Sequence, residues 1–206
     1  MLTLYSMPDS GNSYKPRLLL AQLGRPFRHI SVDTRDGDTH TDEFLTKNPN
    51  GKAPLLELED GRFLAESNAM LLHLAEGTGF LPGDAYERAL VYQWLFFEQY
   101  SHEPCVAVRR SLLRYDHMKP YATPERLDET LAAGNKALSV MEKQLARTEF
   151  LAGGSYSVAD ISLYAYTHSA EEGGFELDAF PNVSQWLHRV ANQPEHVPME
   201  WLPEQT

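Results

Sequence analysis

Apolar and polar positions change rhythm about a third of the way along the chain. Short apolar runs alternate with helical patterns up to Gly77, and beyond it apolar residues recur almost throughout at helical spacing. Leu2–Ser6 predicts a strand, and residues 8–12 a turn-rich loop. From Ser13 the apolar Leu18, Leu19, Ala21 and Leu23 predict a helix that Gly24 ends. Residues 27–32 alternate like a second strand, which makes the first two strands a parallel pair joined by a right-handed crossover. Residues 33–42 are polar loop, 43–47 a short helical turn, and Asn48-Pro49-Asn50-Gly51 a breaker. Two apolar runs, 54–58 and Phe63–Ala65, flank Asp60-Gly61, a short-range hairpin signal. A helix then runs from Ser67 through Leu71, Leu72, Leu74 and Ala75 to Gly77.

The order is βαβ followed by ββα, the arrangement of a thioredoxin-like domain over residues 1–78. Residues 79–84 hold two glycines and a proline and predict a linker, with an all-helical domain over 85–206. In that part Leu90, Trp94 and Phe97 share one helix face, and Pro104 should kink or interrupt the helix before Cys105, Val108 and Leu112. Leu127, Leu131, Gly134, Leu138, Met141 and Leu145 recur at steps of four and three, with Gly134 marking close packing. A last helix carries Val183, Trp186, Leu187 and Val190 on one side until Pro194 stops it. The fold class is therefore an α+β thioredoxin-like domain followed by an all-α bundle.

Charge narrows the function classes. Against 29 acidic residues stand 18 basic ones, a formal net charge of −11 that repels phosphate backbones and anionic lipid. Nucleic acid and membrane surfaces are not expected partners. The first eight residues lack the basic start and apolar run of a signal peptide, and no stretch reaches the roughly 18 apolar residues of a membrane span. A cytoplasmic protein is expected. The single cysteine, Cys105, excludes an internal disulfide, a Cys-x-x-Cys pair and a thiolate-rich zinc site. No two of the eight histidines stand at metal-binding spacing beside carboxylates, so no metal site is expected.

Three segments carry candidate chemistry. Pro54 heads a strand, where its missing N–H is tolerated and Ala53 before it is held extended. Glu66-Ser67 lies where a strand meets a helix, so Ser67 is a natural N-cap and the helix amides behind it favour an anion. Ser10-Gly11-Asn12-Ser13 joins the first strand to the first helix and leads into another set of helix amides; Asn12 and Ser13 are both good caps there. A fourth segment, Ser157-Val158-Ala159-Asp160, has the form of a capping box and is structural.

Taken in order, Leu2-Thr3-Leu4-Tyr5-Ser6 with Ser10-Gly11-Asn12-Ser13-Tyr14-Lys15, Asn48-Pro49-Asn50-Gly51-Lys52-Ala53-Pro54-Leu55, Glu66-Ser67-Asn68-Ala69 and Ser157-Val158-Ala159-Asp160-Ile161 resemble the soluble glutathione transferases, especially the bacterial branch near the theta and nu classes. The resemblance implies glutathione as co-substrate, with no other cofactor, and a small hydrophobic electrophile held against the helical domain. It implies a cis Pro54 and backbone hydrogen bonds from Ala53 to the cysteinyl unit. Ser67 would hold the γ-glutamyl carboxylate and Glu66 the γ-glutamyl ammonium, while Lys52, with His40 or Thr39, would meet the glycyl carboxylate. A homodimer is implied as well.

The same resemblance makes the loop after the first strand the place where the thiol ionises. A hydroxyl or amide donor beside a helix N-terminus lowers a thiol pKa by about one to three units from its usual value near 8.5. Two registers compete for the donor. Counting from Gly24 places Ser13 on the serine of theta-like enzymes; counting to Lys15 places Asn12 on the asparagine of nu-like ones and Ser10 on their threonine. An asparagine donor would favour glutathione-dependent disulfide reduction or peroxidase activity, and a non-catalytic binding module is a third reading. Tyr5 reads as core or rim, Cys105 as a small hydrophobe on a helix face, and Tyr100, Arg109, Arg110 and Tyr115 as either a second-substrate lining or a helix covering.

Overall fold

Strand β1, Leu2–Ser6, runs down the middle of a mixed sheet in the order β2-β1-β3-β4. It pairs in parallel with β2, Phe27–Ser31, from Leu2 opposite Phe27 to Ser6 opposite Ser31. On its other side it pairs antiparallel with β3, Leu55–Glu57, which pairs antiparallel with β4, Phe63–Ala65. Leu2, Leu4 and Ser6 are buried while Thr3 and Tyr5 between them are half-buried, the period-two pattern of a strand covered on one face. Helices α1, Gly11–Gln22, and α3, Ser67–Ala75, pack on each other, and α2, Asp42–Lys47, sets Phe44 beside Val32 and Leu55. The computed structural model describes residues 1–203. Contacts divide the chain into one compact unit beginning at Met1 and ending at Glu76, joined by the segment from Pro194 on, and a second unit, Gly77–Gln193.

Three details differ from the sequence pattern. The first helix starts at Gly11 rather than Ser13, because the Ser10 hydroxyl accepts the Ser13 N–H (3.4 Å) and its carbonyl accepts the Tyr14 N–H (2.9 Å); neither Asn12 nor Ser13 is the cap. Ser67 is the first residue inside α3, and Glu66 occupies the cap position without a side-chain cap bond. The pattern also assigned residues after Pro194 to the helical domain. They lie instead on the first unit, where the Tyr14 hydroxyl donates to the Val197 carbonyl (2.5 Å), Arg17 Nη2 donates to the Met199 carbonyl (2.7 Å), and Trp201 meets Phe27.

The second unit contains α4 (Ala85–Phe97), α5 (Glu103–Arg114), α6 (Pro124–Leu145), α7 (Val158–Thr167) and α8 (Pro181–Ala191). Pro104 does interrupt the first of these runs. One π-helical turn, Glu98–His102, intervenes, the Glu103 N–H bonds the Glu98 carbonyl, and Pro104 falls in the first turn of α5, where its lack of an N–H costs nothing. Gly134 lies against the buried ring of Phe175, which any Cβ there would strike.

The capping box is complete and does more than cap. Asp160, fully buried, accepts the Ser157 N–H (3.0 Å) and hydroxyl (3.1 Å) on one oxygen, and the Leu151 N–H (3.0 Å) and Trp186 Nε1–H (2.9 Å) on the other. Burial pushes its carboxyl up to about 6 while those four donors pull the other way. It thereby ties the α7 start to α8 and to the chain before the box. Asp160→Ala strands three buried N–H donors at about 1–3 kcal/mol each, and urea titration should register a loss of at least about 3 kcal/mol. Gly134→Ala gains about 1 kcal/mol of helix propensity but must displace the Phe175 ring, and the expected result is a net loss of about 1–2 kcal/mol with a lowered Tm.

Candidate functional site

The site follows from strand register. Tyr5 faces Leu55 and Leu55 faces Ala65, so two steps further along each chain Met7, Ala53 and Ser67 leave the sheet at one end. The loop after β1, the entry to β3 and the start of α3 therefore converge, although they are distant in sequence.

The loop after β1 is held from below by Arg17, which is fully buried on α1. Its Nη1 donates to the Ser6 hydroxyl (3.1 Å) and the Met7 carbonyl (3.3 Å), and its Nη2 to the Pro8 carbonyl (2.7 Å). Burial pulls the guanidinium down to about 10, which leaves it cationic at neutral pH. His29 Nε2 meets the Ser6 hydroxyl from β2 (2.8 Å), and burial followed by the charge of Arg17 pushes its pKa down. The Ser13 hydroxyl, also fully buried, accepts the Met7 N–H (3.0 Å) and so locks the loop onto the first helical turn.

Ser10 and Asn12 are half-buried at the surface of this turn. Asn12 Oδ1 accepts from Lys15 Nζ (2.8 Å) and from the Ser67 hydroxyl (3.2 Å), and Lys15 Nζ lies 3.4 Å from Ser67 Oγ. Lys15 is itself fully buried. Two donors on one oxygen settle which end of the amide is which: the Asn12 carbonyl faces Lys15 and Ser67, and its NH2 forms the other edge. The starts of α1 and α3, each bringing helix amides, are thus joined by one polar cluster that favours an anion.

The other candidates fall into two groups. Ala53–Pro54 is a cis peptide with Pro54 buried, and Ala53 lies beyond the paired register of β3. Lys52 is exposed on the loop before it, and the buried Asn48 pins that loop by donating from Nδ2 to the Lys52 carbonyl (2.8 Å). Gly51, with φ +60°, passes so close to His40 that a Cβ would lie 3.1 Å from its Nε2, which brings exposed His40 beside the Lys52 loop. Thr39 is buried, with its hydroxyl on His40 Nδ1 (3.2 Å). Glu66 is exposed and has φ +68° and ψ 113°, a region costing a non-glycine residue about 1–3 kcal/mol and found where function requires it.

Residues outside this cluster have structural work. The Tyr5 hydroxyl donates to Glu57 (3.0 Å), and burial and then Glu57 raise its pKa. Half-buried Cys105 belongs to the second unit, and burial followed by Glu103 pushes its thiol up, away from thiolate. Arg109 donates to the carbonyls of Gly173 and Leu127, Arg110 pairs with Glu172 (2.9 Å) and Tyr115 stacks on His117. Tyr100 is exposed. Among the described residues no group of three or more His, Cys, Asp or Glu is placed to hold a metal, and no helix is long and apolar enough to cross a membrane. Sequence reasoning used Lys15 only as a spacing mark and passed over Arg17. Their signal was two cations inside a helix whose neighbours, Leu18 to Leu20, are wholly buried.

Known proteins resemble this chain over nearly its whole length. Residues 1–76 match the family model for the glutathione S-transferase N-terminal domain, and residues 94–194 match the C-terminal domain. The chain is 30% identical over 201 residues to the disulfide-bond oxidoreductase YfcG of Escherichia coli K12, covering 94% of this chain and 92% of that one. A crystal structure of a glutathione S-transferase from Pseudomonas fluorescens superposes with a TM-score of 0.93 at 52% identity, covering 96% of this chain and 98% of the other. A glutathione transferase from Burkholderia graminis, solved with two glutathione molecules bound per subunit, has a TM-score of 0.86 at 29% identity, covering 100% of this chain and 89% of that one. The sheet order, the helical second unit and these matches together make the chain a member of the glutathione S-transferase family of enzymes.

Proposed function

We propose that the first unit binds glutathione, stabilises its thiol as the thiolate and transfers it to a small hydrophobic electrophile. What supports this reading is Asn12, half-buried beside the N-terminus of α1 with its Oδ1 turned to Lys15 and Ser67, so that its NH2 edge is the one that would turn to sulfur when glutathione binds. Such a bond is stronger to the anion than to the neutral thiol, and that difference lowers the pKa. Asn12 ranks first as the donor. Ser10 follows, since its hydroxyl accepts the Ser13 N–H and can still donate, and Ser13 comes last because it is fully buried beneath Met7. Around the tripeptide, the Ala53 backbone before cis Pro54 meets the cysteinyl unit, Ser67 the γ-glutamyl carboxylate, Glu66 its ammonium, and Lys52 with His40 the glycyl carboxylate. The protein acts in the cytoplasm as a homodimer. Exposed Tyr86, Phe96 and Tyr100 support an association surface on α4 and the turn after it.

A second reading is favoured by an asparagine rather than a serine in the donor position, and by the oxidoreductase named among the relatives. In it the thiolate attacks a glutathione mixed disulfide, releases the substrate thiol and leaves oxidised glutathione. Steady-state assays of an aromatic halide beside a mixed disulfide separate the two: transfer to the halide with little reduction is expected, and a large rate on the disulfide alone would replace the first reading by the second.

Asn12→Ala should lower kcat/KM about 10- to 100-fold and raise the pKa of the bound thiol by about one unit, seen in the pH profile, whereas Ser13→Ala should leave that profile in place and lower Tm through the orphaned Met7 N–H. Glu66→Gly should relieve the positive-φ residue, stabilising the fold by about 1 kcal/mol, while calorimetry records glutathione affinity weakened about tenfold.

A further inference from the structure

The chain that leads into Ser10 and Asn12 is a β-turn over residues 7–10, closed by the Ser10 N–H on the Met7 carbonyl (3.2 Å), with Pro8 where its fixed φ suits the turn. Arg17 grips that turn with both terminal nitrogens. Nη1 donates to the Ser6 hydroxyl and the Met7 carbonyl, and Nη2 donates to the Pro8 carbonyl (2.7 Å). The second Nη2 hydrogen goes elsewhere, to the Met199 carbonyl, at the same 2.7 Å. One buried guanidinium is thus shared between the end of β1, the turn and the segment 194–203, while its Nε–H finds no acceptor among the described residues. The fork is planar, so its four bonds set one orientation between them, and losing Met199 tilts the arm that also holds Pro8. That segment has its own seats on the first unit: the Tyr14 hydroxyl donates to Val197, Trp201 lies against Phe27 of β2, and the Met199 side chain is buried.

We propose that Arg17 is a positioning residue for the reaction and that the segment 194–203 works through it: docked on Nη2, the segment fixes the Met7–Ser10 turn and with it the direction in which the first turn of α1 faces sulfur. The proposal rests on the glutathione reading above and adds to it an element that touches neither glutathione nor electrophile. Charge alone does not serve. Arg17→Lys keeps the cation, but one ammonium on a flexible stem has no second arm with which to hold Pro8 and Met199 while the first holds Ser6 and Met7. The effect is felt mainly at the thiol. Glu66, Ser67 and the Lys52 loop, which take the two carboxylate ends of the tripeptide in that reading, have no bond to Arg17, so a loosened turn changes ionisation more than affinity.

The test is the pH dependence of kcat/KM for the intact protein, Arg17→Lys, the pair Met199→Ala with Trp201→Ala, and all three together. Hydrogen exchange over residues 194–203 reports whether the segment is docked, and calorimetry with S-methylglutathione, which has no free thiol, reports tripeptide binding by itself. Arg17→Lys should lower kcat/KM about tenfold and raise the apparent thiol pKa by about half a unit to one unit, with S-methylglutathione affinity kept within about twofold. The tail pair leaves Arg17 and the turn unsubstituted; it should quicken exchange in the segment, move the profile the same way, and add little on top of Arg17→Lys, because its effect passes through the guanidinium. An unmoved profile in folded Arg17→Lys, or in the tail pair with its exchange quickened, overturns the proposal, as do shifts that add in full, while glutathione binding stands. If Arg17→Lys does not fold, the tail pair decides; if the tail pair stays docked, Arg17→Lys decides. Absence of binding heat with glutathione in the unsubstituted protein removes the glutathione reading, and this role of Arg17 with it.

Discussion

A polar group taken out of water has to find a partner, and at the first turns of α1 this protein buries a lysine, an arginine and a serine at once. Arg17 and Ser13 both reach back to the loop after β1, and Lys15 reaches α3. Arg17 takes the carbonyls of Met7, Pro8 and Met199, Ser13 takes the Met7 N–H, and Lys15 takes Asn12 and Ser67. Their combined effect is a loop with little freedom. The chain between β1 and α1 is fastened from beneath by side chains of the helix it leads into, and the segment after Pro194 is fastened by the same arginine. What remains at the surface of the turn is Ser10 and Asn12, both half-buried.

Strand register supplies the other half of the construction. Three segments far apart in sequence leave the sheet at the same end because β3 pairs with β1 on one side and β4 on the other. Two helix starts then sit close enough for one lysine to reach both. The left-handed conformation of Glu66 fits this picture, since a relaxed residue there would turn the start of α3 differently. In the second unit Asp160 plays the equivalent part, one buried carboxylate gathering donors from α7, α8 and the chain before them.

Much of this was legible in the residues. Strand alternation, the Asp60-Gly61 hairpin, the heptad-like spacing of α6 with Gly134, and the Ser157–Asp160 box all rest on local chemistry, and local chemistry survives folding. Less legible was anything that depends on a distant partner. Ser10 caps the helix that begins at Gly11, while the Ser13 hydroxyl accepts the Met7 N–H. Ser67 is not a cap because its hydroxyl is committed to Asn12 across 55 residues of sequence. Two registers left Asn12 and Ser13 level in the sequence; in the fold Ser13 is fully buried and Asn12 half-buried, a difference that belongs to the folded chain. Lys15 reaches Ser67, and Arg17 reaches the Met199 carbonyl, only when α3 and the tail are brought against α1.

The claim at the centre is geometric, and a crystal structure of the protein with bound glutathione tests it most directly. Sulfur should lie within hydrogen-bond distance of Asn12 Nδ2, with the Ser67 hydroxyl turned to the ligand carboxylate. An amide rotated to place Oδ1 at sulfur, or a sulfur seated on another donor with Asn12 facing away, would contradict it.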